Sequence, residues 1–206
     1  PADVEETTVA WRIGGVLFSA AMIPLIYDLC RRLFKKTFYA ALGAIFLACD
    51  FMHLTTARIA TLEPFSVFFI LLMTYFMIRY WRMSFYEDDF KKTLGLLAAA
   101  GISMGIGIAV KWTGVYAGIG LAVLFFSSLI QRYCEYQRAK KSKEPTIEEK
   151  HRIEVFPRYC WITLLWCCLW FVLVPLIIYA LSYLPCILYR GEGWSLSGVF
   201  KQTMGM

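Results

Sequence analysis

Six stretches of this chain carry almost no charge, and the polar residues gather between them. The stretches run over about residues 11–30, 38–57, 64–83, 93–110, 115–131 and 159–188. A soluble helix keeps a polar face, yet the window 64–78 holds no charged residue at all. At about 1.5 Å rise per residue, such runs are long enough to cross a hydrocarbon core about 30 Å thick. The pattern predicts an all-α integral membrane protein of about six transmembrane helices. Pro24, Pro175 and Pro185 fall inside spans and are expected to kink them without preventing a crossing. Pro64 favours a first helical position, which puts Glu63 at the cap, facing the positive helix end. The pairs Gly101/Gly105 and Gly114/Gly118 are four apart, a spacing that lets helix backbones approach closely. Residues 132–158 read as one long solvated cytoplasmic loop, with at most a short helix after Pro145. The tail 190–206 is polar and is not expected to span.

Charge gives this pattern a direction. If six spans alternate, the turns at 31–36, 79–92 and 132–158 share one side, and they hold 16 of the 21 Lys and Arg residues. The positive-inside rule makes that side cytoplasmic. The other five, Arg12, Arg58, Lys111, Arg190 and Lys201, fall at the outer ends.

Composition agrees. Of the 206 residues, 59% are hydrophobic and 17% aromatic, more than a soluble domain of this size needs. The net charge of +6 is explained by the cytoplasmic turns, so nucleic acid is not an expected partner. The seven cysteines form no CxxC pair and mostly sit in apolar segments. They read as small hydrophobes, not as a disulfide framework or a zinc site. The chain starts without an initiator Met and is expected to be a piece of a longer protein.

The unusual charges lie in and around Asp50–Pro64. Helix rise from Phe38 puts Asp50 about 18 Å up, inside the core, and Arg58 about 30 Å up, at the outer boundary. His53 shares a helix face with Asp50, and the two are expected to pair as buried support. Lys111 stands about 27 Å from Thr93, again at the outer boundary. Each cation alone reads as a snorkelling side chain. Together with Asp50, His53 and Glu63 they read as one polar site, because intramembrane ionisable groups face a cavity or a partner. Arg can clamp a phosphate bidentately and Lys can meet it as a point charge. Glu63 caps its helix or pairs with Arg58 across the turn before Pro64. Trp112 reads as an interface anchor ahead of a sugar platform. There is no phosphate-cradling Gly loop, no Asp-x-Asp pair and no metal-ligand cluster, which disfavours a nucleotide-linked donor and predicts no metal or cofactor.

The stretch Asp50-Phe51-Met52-His53 followed by Thr56-Ala57-Arg58-Ile59-Ala60-Thr61-Leu62-Glu63 resembles the corresponding stretch of protein O-mannosyltransferases, especially bacterial ones. Gly105-Ile106-Gly107 leading to Lys111-Trp112-Thr113-Gly114-Val115-Tyr116-Ala117-Gly118 looks like a second family segment. The first helix, from Trp11-Arg12 through Pro24-Leu25-Ile26-Tyr27, is similar too. The resemblance implies the central part of a larger GT-C multi-span fold. Such enzymes pass mannose from a polyprenyl or dolichyl phosphate carrier to Ser or Thr hydroxyls outside the cytoplasm, by a single inverting displacement. Basic residues stabilise the departing lipid phosphate, a role that maps by position onto Arg58 and then Lys111, with Asp50, His53, Glu63 and Trp112 in support.

Two departures shape the expectation. The family's acidic pair lies in an outer loop before the first helix, and Asp3, Glu5 and Glu6 do not match it. Many members also have Asp where this chain has Glu63. The general base is therefore expected before Pro1, and the piece alone is expected to be inactive. The expected partners are the lipid-phosphate mannose, an acceptor protein and membrane lipids, with a dimer allowed. The location is the plasma membrane if the source is bacterial and the endoplasmic reticulum if it is eukaryotic. Alternatives are a GT-C transferase acting on a lipid or cell-wall glycan, or a transporter or scaffold whose Arg58 and Lys111 bind headgroups.

Overall fold

The computed structural model describes residues 2–184 apart from 60, 85, 87 and 143–145, and of residues 2–11 only the backbone. The described residues form helices joined by short turns, and none lies in a strand. In chain order these are α1 (Ala2–Phe34), α2 (Thr37–Cys49), α3 (Phe51–Arg58), α4 (Glu63–Trp81), α5 (Phe90–Val110), α6 (Thr113–Lys141), α7 (Ile147–Cys168) and α8 (Val174–Ser182). A π-helical turn, Leu169–Leu173, joins α7 to α8 without a break. Five helical runs are long and apolar enough to span a membrane, and a sixth span is completed if α2 and α3 are counted together. The protein is an all-α integral membrane protein, as the apolar runs predict. The tail 190–206 and the sixth stretch beyond Leu184 lie outside the described residues.

The core is built where α4, α5 and α6 meet, from Met73, Met77, Tyr80, Leu97, Leu121 and Phe125. Around it α1 packs on α2 and α4, and the π turn and α8 pack on α5. The outward faces stay apolar. Val115, Ile119, Val123, Phe126 and Ile130 of α6 are all exposed at helical spacing, which suits a lipid-facing surface.

Two expectations are corrected. The stretch 38–57 is not one helix. It bends by 52° between α2 and α3. The cause is Asp50, which leaves the helix in an extended conformation and caps α3 by accepting the His53 backbone N–H at 2.9 Å. A carboxylate is a good N-cap because it satisfies an amide that the helix start leaves unpaired. The bend lets the eight residues of α3 climb only about 7 Å along the α2 axis, not about 12 Å. Arg58 is correspondingly shallower than a straight helix would place it.

The second correction concerns 132–158, which is mostly helix. α6 runs on to Lys141, and α7 starts at Ile147 behind a capping box in which Glu149 Oε2 accepts the Thr146 N–H at 2.9 Å. The charges that suggested a loop lie mainly on the outer side of a helical hairpin, whose inner side is aromatic and alkyl. Tyr136 stacks on Phe156 with centroids 4.9 Å apart, and Ala139 is buried. Burial pushes the Tyr86 phenol up to about 12. It stays protonated there and donates to the Arg132 carbonyl at 3.3 Å.

The glycine spacing has a local cause. Val174 gives its N–H to the Leu169 carbonyl, five residues back, and Pro175 has no N–H to give. The Trp170 carbonyl thus loses both amides that could reach it along the helix, and it points at α5. There a Cβ on Gly101 would collide with the Trp170 oxygen and come within 2.8 Å of its carbonyl carbon. One turn on, a Cβ on Gly105 would stand 3.1 Å from Pro175 Cα. Gly101→Ala is expected to lower stability by about 2 kcal/mol through overpacking. Gly95→Ala, on the same helix, meets nothing within 4 Å. It should be neutral or stabilising by up to about 1 kcal/mol from helix propensity. Thermal unfolding of the two variants side by side checks the contrast.

Candidate functional site

Antiparallel packing of α4 on α5 sets the first element of the site. With α4 at 19 residues and α5 at 21, joined by a short turn, the start of one lies beside the end of the other. Glu63 in the first turn of α4 thereby meets Lys111 at the end of α5, and the carboxylate Oε1 accepts from the ammonium Nζ in a direct ion pair. Glu63 is not the cap of α4, as the Pro64 rule predicted. Leu62 takes that position without a side-chain cap bond. Nor does Glu63 pair with Arg58. Both side chains of the Glu63–Lys111 pair are close to half exposed, 46% and 41%, so the pair contributes little net stability, about 1 kcal/mol at most. Its value lies in where it holds the ammonium.

The turn around Lys111 is tight. Lys111 leaves α5 in an extended conformation, and Gly114 packs against the backbone of Gly107 and Ile108, where a Cβ would stand at 3.0 Å. Thr113 then reaches Ser66 of α4, with hydroxyl oxygens 3.5 Å apart. Trp112 projects from the same turn, 62% exposed. Its indole N–H donates to the Tyr179 hydroxyl at 3.0 Å, and the Tyr179 and Tyr183 hydroxyls are 2.7 Å apart. The rings of Trp112 and Tyr179 meet edge to face at 5.4 Å. Sequence reading missed Tyr179, although counting rise along the sixth stretch places it at the same end of the bundle as Lys111.

Arg58 closes α3 beside this constellation. The preceding Ala57 is buried against α1, where a Cβ on Gly15 would lie 3.4 Å from the Ala57 carbonyl oxygen and 3.8 Å from Pro64 Cγ. The α3 end, the α4 start and α1 are thus in one junction. The Arg58 side chain is exposed and makes no hydrogen bond or ion pair with the described residues. At the other end of α3, Asp50 spends its carboxylate on the His53 backbone N–H, and the expected pairing of that carboxylate with the imidazole is not formed. The structure therefore joins Glu63 to Lys111, sets Trp112 next to them, brings the Arg58 backbone to the same junction, and leaves Asp50 and His53 as the start of the short helix that carries Arg58. Among the described residues, no three His, Cys, Asp or Glu side chains gather as metal ligands.

A bundle of membrane helices with an arginine, a lysine and a carboxylate at one end narrows the search for relatives. A sequence profile of the dolichyl-phosphate-mannose-protein mannosyltransferases matches residues 3–187. The chain is 26% identical over 151 residues to a polyprenol-phosphate-mannose–protein mannosyltransferase of Mycobacterium tuberculosis, covering 62% of this chain and 28% of that protein. A namesake in Corynebacterium glutamicum is 27% identical over 143 residues, 61% of this chain and 28% of the relative. The dolichyl-phosphate-mannose–protein mannosyltransferase 4 of Saccharomyces cerevisiae is 22% identical over 118 residues, 56% of this chain and 16% of the relative. The chain thus spans little more than a quarter of the bacterial relatives. No solved structure gives a significant match. With the profile running almost from end to end of the helical bundle, this integral membrane protein belongs to the dolichyl-phosphate-mannose-protein mannosyltransferase family.

Proposed function

We propose that this chain forms the donor-phosphate end of a GT-C enzyme that transfers mannose from a polyprenyl or dolichyl phosphate to Ser or Thr hydroxyls of proteins. The observation that carries the reading is the pairing of Lys111 with Glu63 at the end of the bundle that also holds Arg58. That end lies away from the basic turns, so transfer takes place on the extracytoplasmic side. In the reaction the acceptor oxygen attacks C1 of mannose from the face opposite the phosphate. The C1–O bond to phosphate breaks, and the carrier leaves as a lipid phosphate. Positive charge fixed beside the leaving oxygens stabilises them most as the bond breaks, which is the role of Arg58 and Lys111. Lys111 keeps Glu63 on one of its three ammonium N–H donors and turns the others to the phosphate when donor arrives. The hydroxyl proton goes to a carboxylate. Near this end the described carboxylates are committed, Glu63 to Lys111 and Asp50 to the α3 amide, so that base is expected outside the described residues.

Lys111→Ala in the full-length protein is expected to raise the half-saturating concentration of lipid-phosphate mannose by about 10-fold, the loss of one charge-assisted contact. Lys111→Arg should recover most of it. The assay is transfer from polyprenyl phosphate mannose to a Ser/Thr peptide in membranes, and unchanged donor saturation in Lys111→Ala would remove Lys111 from the site. Orientation has its own check. Cysteines placed at Lys36 and Lys141 should label from the cytoplasm and one at Leu62 from outside, and the reverse pattern would invert the proposal.

A further inference from the structure

At the end of the bundle opposite Lys111, α1 and α4 enclose a cluster for which mannosyl transfer has no use. Tyr75 donates its hydroxyl to Asp28 Oδ2 at 2.6 Å, and Arg32 Nε donates to the same oxygen at 2.7 Å. The Arg32 guanidinium carbon lies 5.5 Å from the centroid of the Tyr75 ring, and that of Arg79 lies 5.8 Å from it. One carboxylate therefore faces two guanidiniums, and one positive charge is left over. Asp28 is engaged by Tyr75 and Arg32. Arg79 has the ring beside it but makes no hydrogen bond to the described residues, although it carries five N–H donors in a planar fork. It is only partly exposed, and a half-buried guanidinium without an acceptor is costly.

Depth identifies what supplies the acceptor. Arg32 is two residues from the end of α1 and Arg79 two from the end of α4, and both helices are long and apolar enough to span. Helix ends of this kind lie level with the phosphates of one leaflet. We propose that Arg32 and Arg79, both seated on Tyr75, hold the phosphate of an anionic phospholipid where the ends of α1 and α4 meet. The guanidinium fork matches phosphate oxygens bidentately, which an ammonium cannot do. Asp28 has two effects. It fixes the Arg32 guanidinium, and it cancels one of the two charges, so the seat suits a single phosphodiester. Arg31, Lys35 and Lys36 nearby are exposed and add only general attraction.

This inference stands apart from the donor site and is tested without any transfer assay. The protein purified in detergent is mixed with dioleoyl phosphatidylglycerol, dioleoyl phosphatidylcholine, glycerol 3-phosphate or inorganic phosphate. Retained lipid is read by native mass spectrometry and the unfolding midpoint by a thermal scan. One phosphatidylglycerol should be retained with a rise in midpoint, and phosphatidylcholine and the two soluble phosphates should do neither. Arg32→Gln and Arg79→Gln should each lose retention and the rise. Tyr75→Phe, which keeps the ring, and Arg31→Gln, which removes a charge off the ring, should keep both. Should Arg79→Gln fail to fold, Arg79→Lys keeps the charge without the fork and should weaken retention about 10-fold. Equal retention in Arg79→Lys, equal loss in Arg31→Gln, or an equal shift with inorganic phosphate would overturn the seat.

Discussion

Replacing Arg58 by alanine in the full-length protein is expected to cut mannosyl transfer by about 100-fold or more while leaving the unfolding temperature in place. The two halves of that expectation have different grounds. The side chain is exposed and makes no hydrogen bond or ion pair with the described residues, so the fold loses neither with it. A guanidinium beside a breaking phosphoester bond is worth most in the transition state, where the leaving oxygens gain charge. The rate at saturating donor should therefore fall further than donor affinity. Arg58→Lys restores the charge but not the fork, and an intermediate rate is expected. An Arg58→Ala enzyme that transfers at the parent rate would leave the site to Lys111 alone.

Arg132→Ala should do the opposite, destabilising the protein by about 3 kcal/mol or more. Arg132 is 4% exposed, and Tyr80 beneath it is fully buried. Its Nη1 donates to the Tyr80 hydroxyl, and its Nη2 donates to the carbonyls of Tyr80 and, at 2.9 Å, Met83. The guanidinium carbon also lies 4.5 Å from the Tyr80 ring centroid. The Tyr80 carbonyl lies in the last turn of α4 and also accepts the Met83 N–H at 3.1 Å, and the Met83 carbonyl lies just past the helix end, where a cation is favoured. Truncation takes the guanidinium donors from the buried Tyr80 hydroxyl and the Met83 carbonyl and leaves a void over the Tyr80 ring. Arg138→Ala, exposed on the same helix, should stay within about 0.5 kcal/mol of the parent. If the two variants melt together in detergent, Arg132 does not hold α4 to α6.

Arg132 also shows what can be read from residues alone and what cannot. The spans are legible because the bilayer requires about 20 apolar residues in a row, a demand written locally. The partners of a charge are not written locally. Arg132 opens a charged stretch and reads as solvated, yet α6 continues through it and turns it onto Tyr80. Glu63 and Lys111 are 48 positions apart, and only the antiparallel pairing of α4 with α5 brings them together. That pairing was within reach, since two spans of nearly equal length about a short turn must juxtapose their far ends. Likewise the break at Asp50 carries a local signal. Aspartate is a poor helix interior and a good N-cap, and counting steps from Phe38 through it assumed a rod that the carboxylate interrupts. For Tyr179 the end of the bundle is legible from rise, but the direction it faces is not. That direction depends on the π turn, which no apolar run reveals.

That turn has a consequence for how the outer end tolerates change. A π turn is one residue more than an α-helix would use over the same rise. The extra residue shifts the phase of everything beyond it by about 100°, one step of a 3.6-residue helix. α8 reaches Trp112 with Tyr179 only in that shifted phase. Deleting a single residue between Leu169 and Leu173 would remove the extra residue of the π turn, although Pro175 would still leave one carbonyl without an amide, and would rotate Tyr179 away from the indole. The site end is in this sense indexed by an insertion about two turns below it. A one-residue deletion there should disturb Trp112 more than most substitutions closer to it.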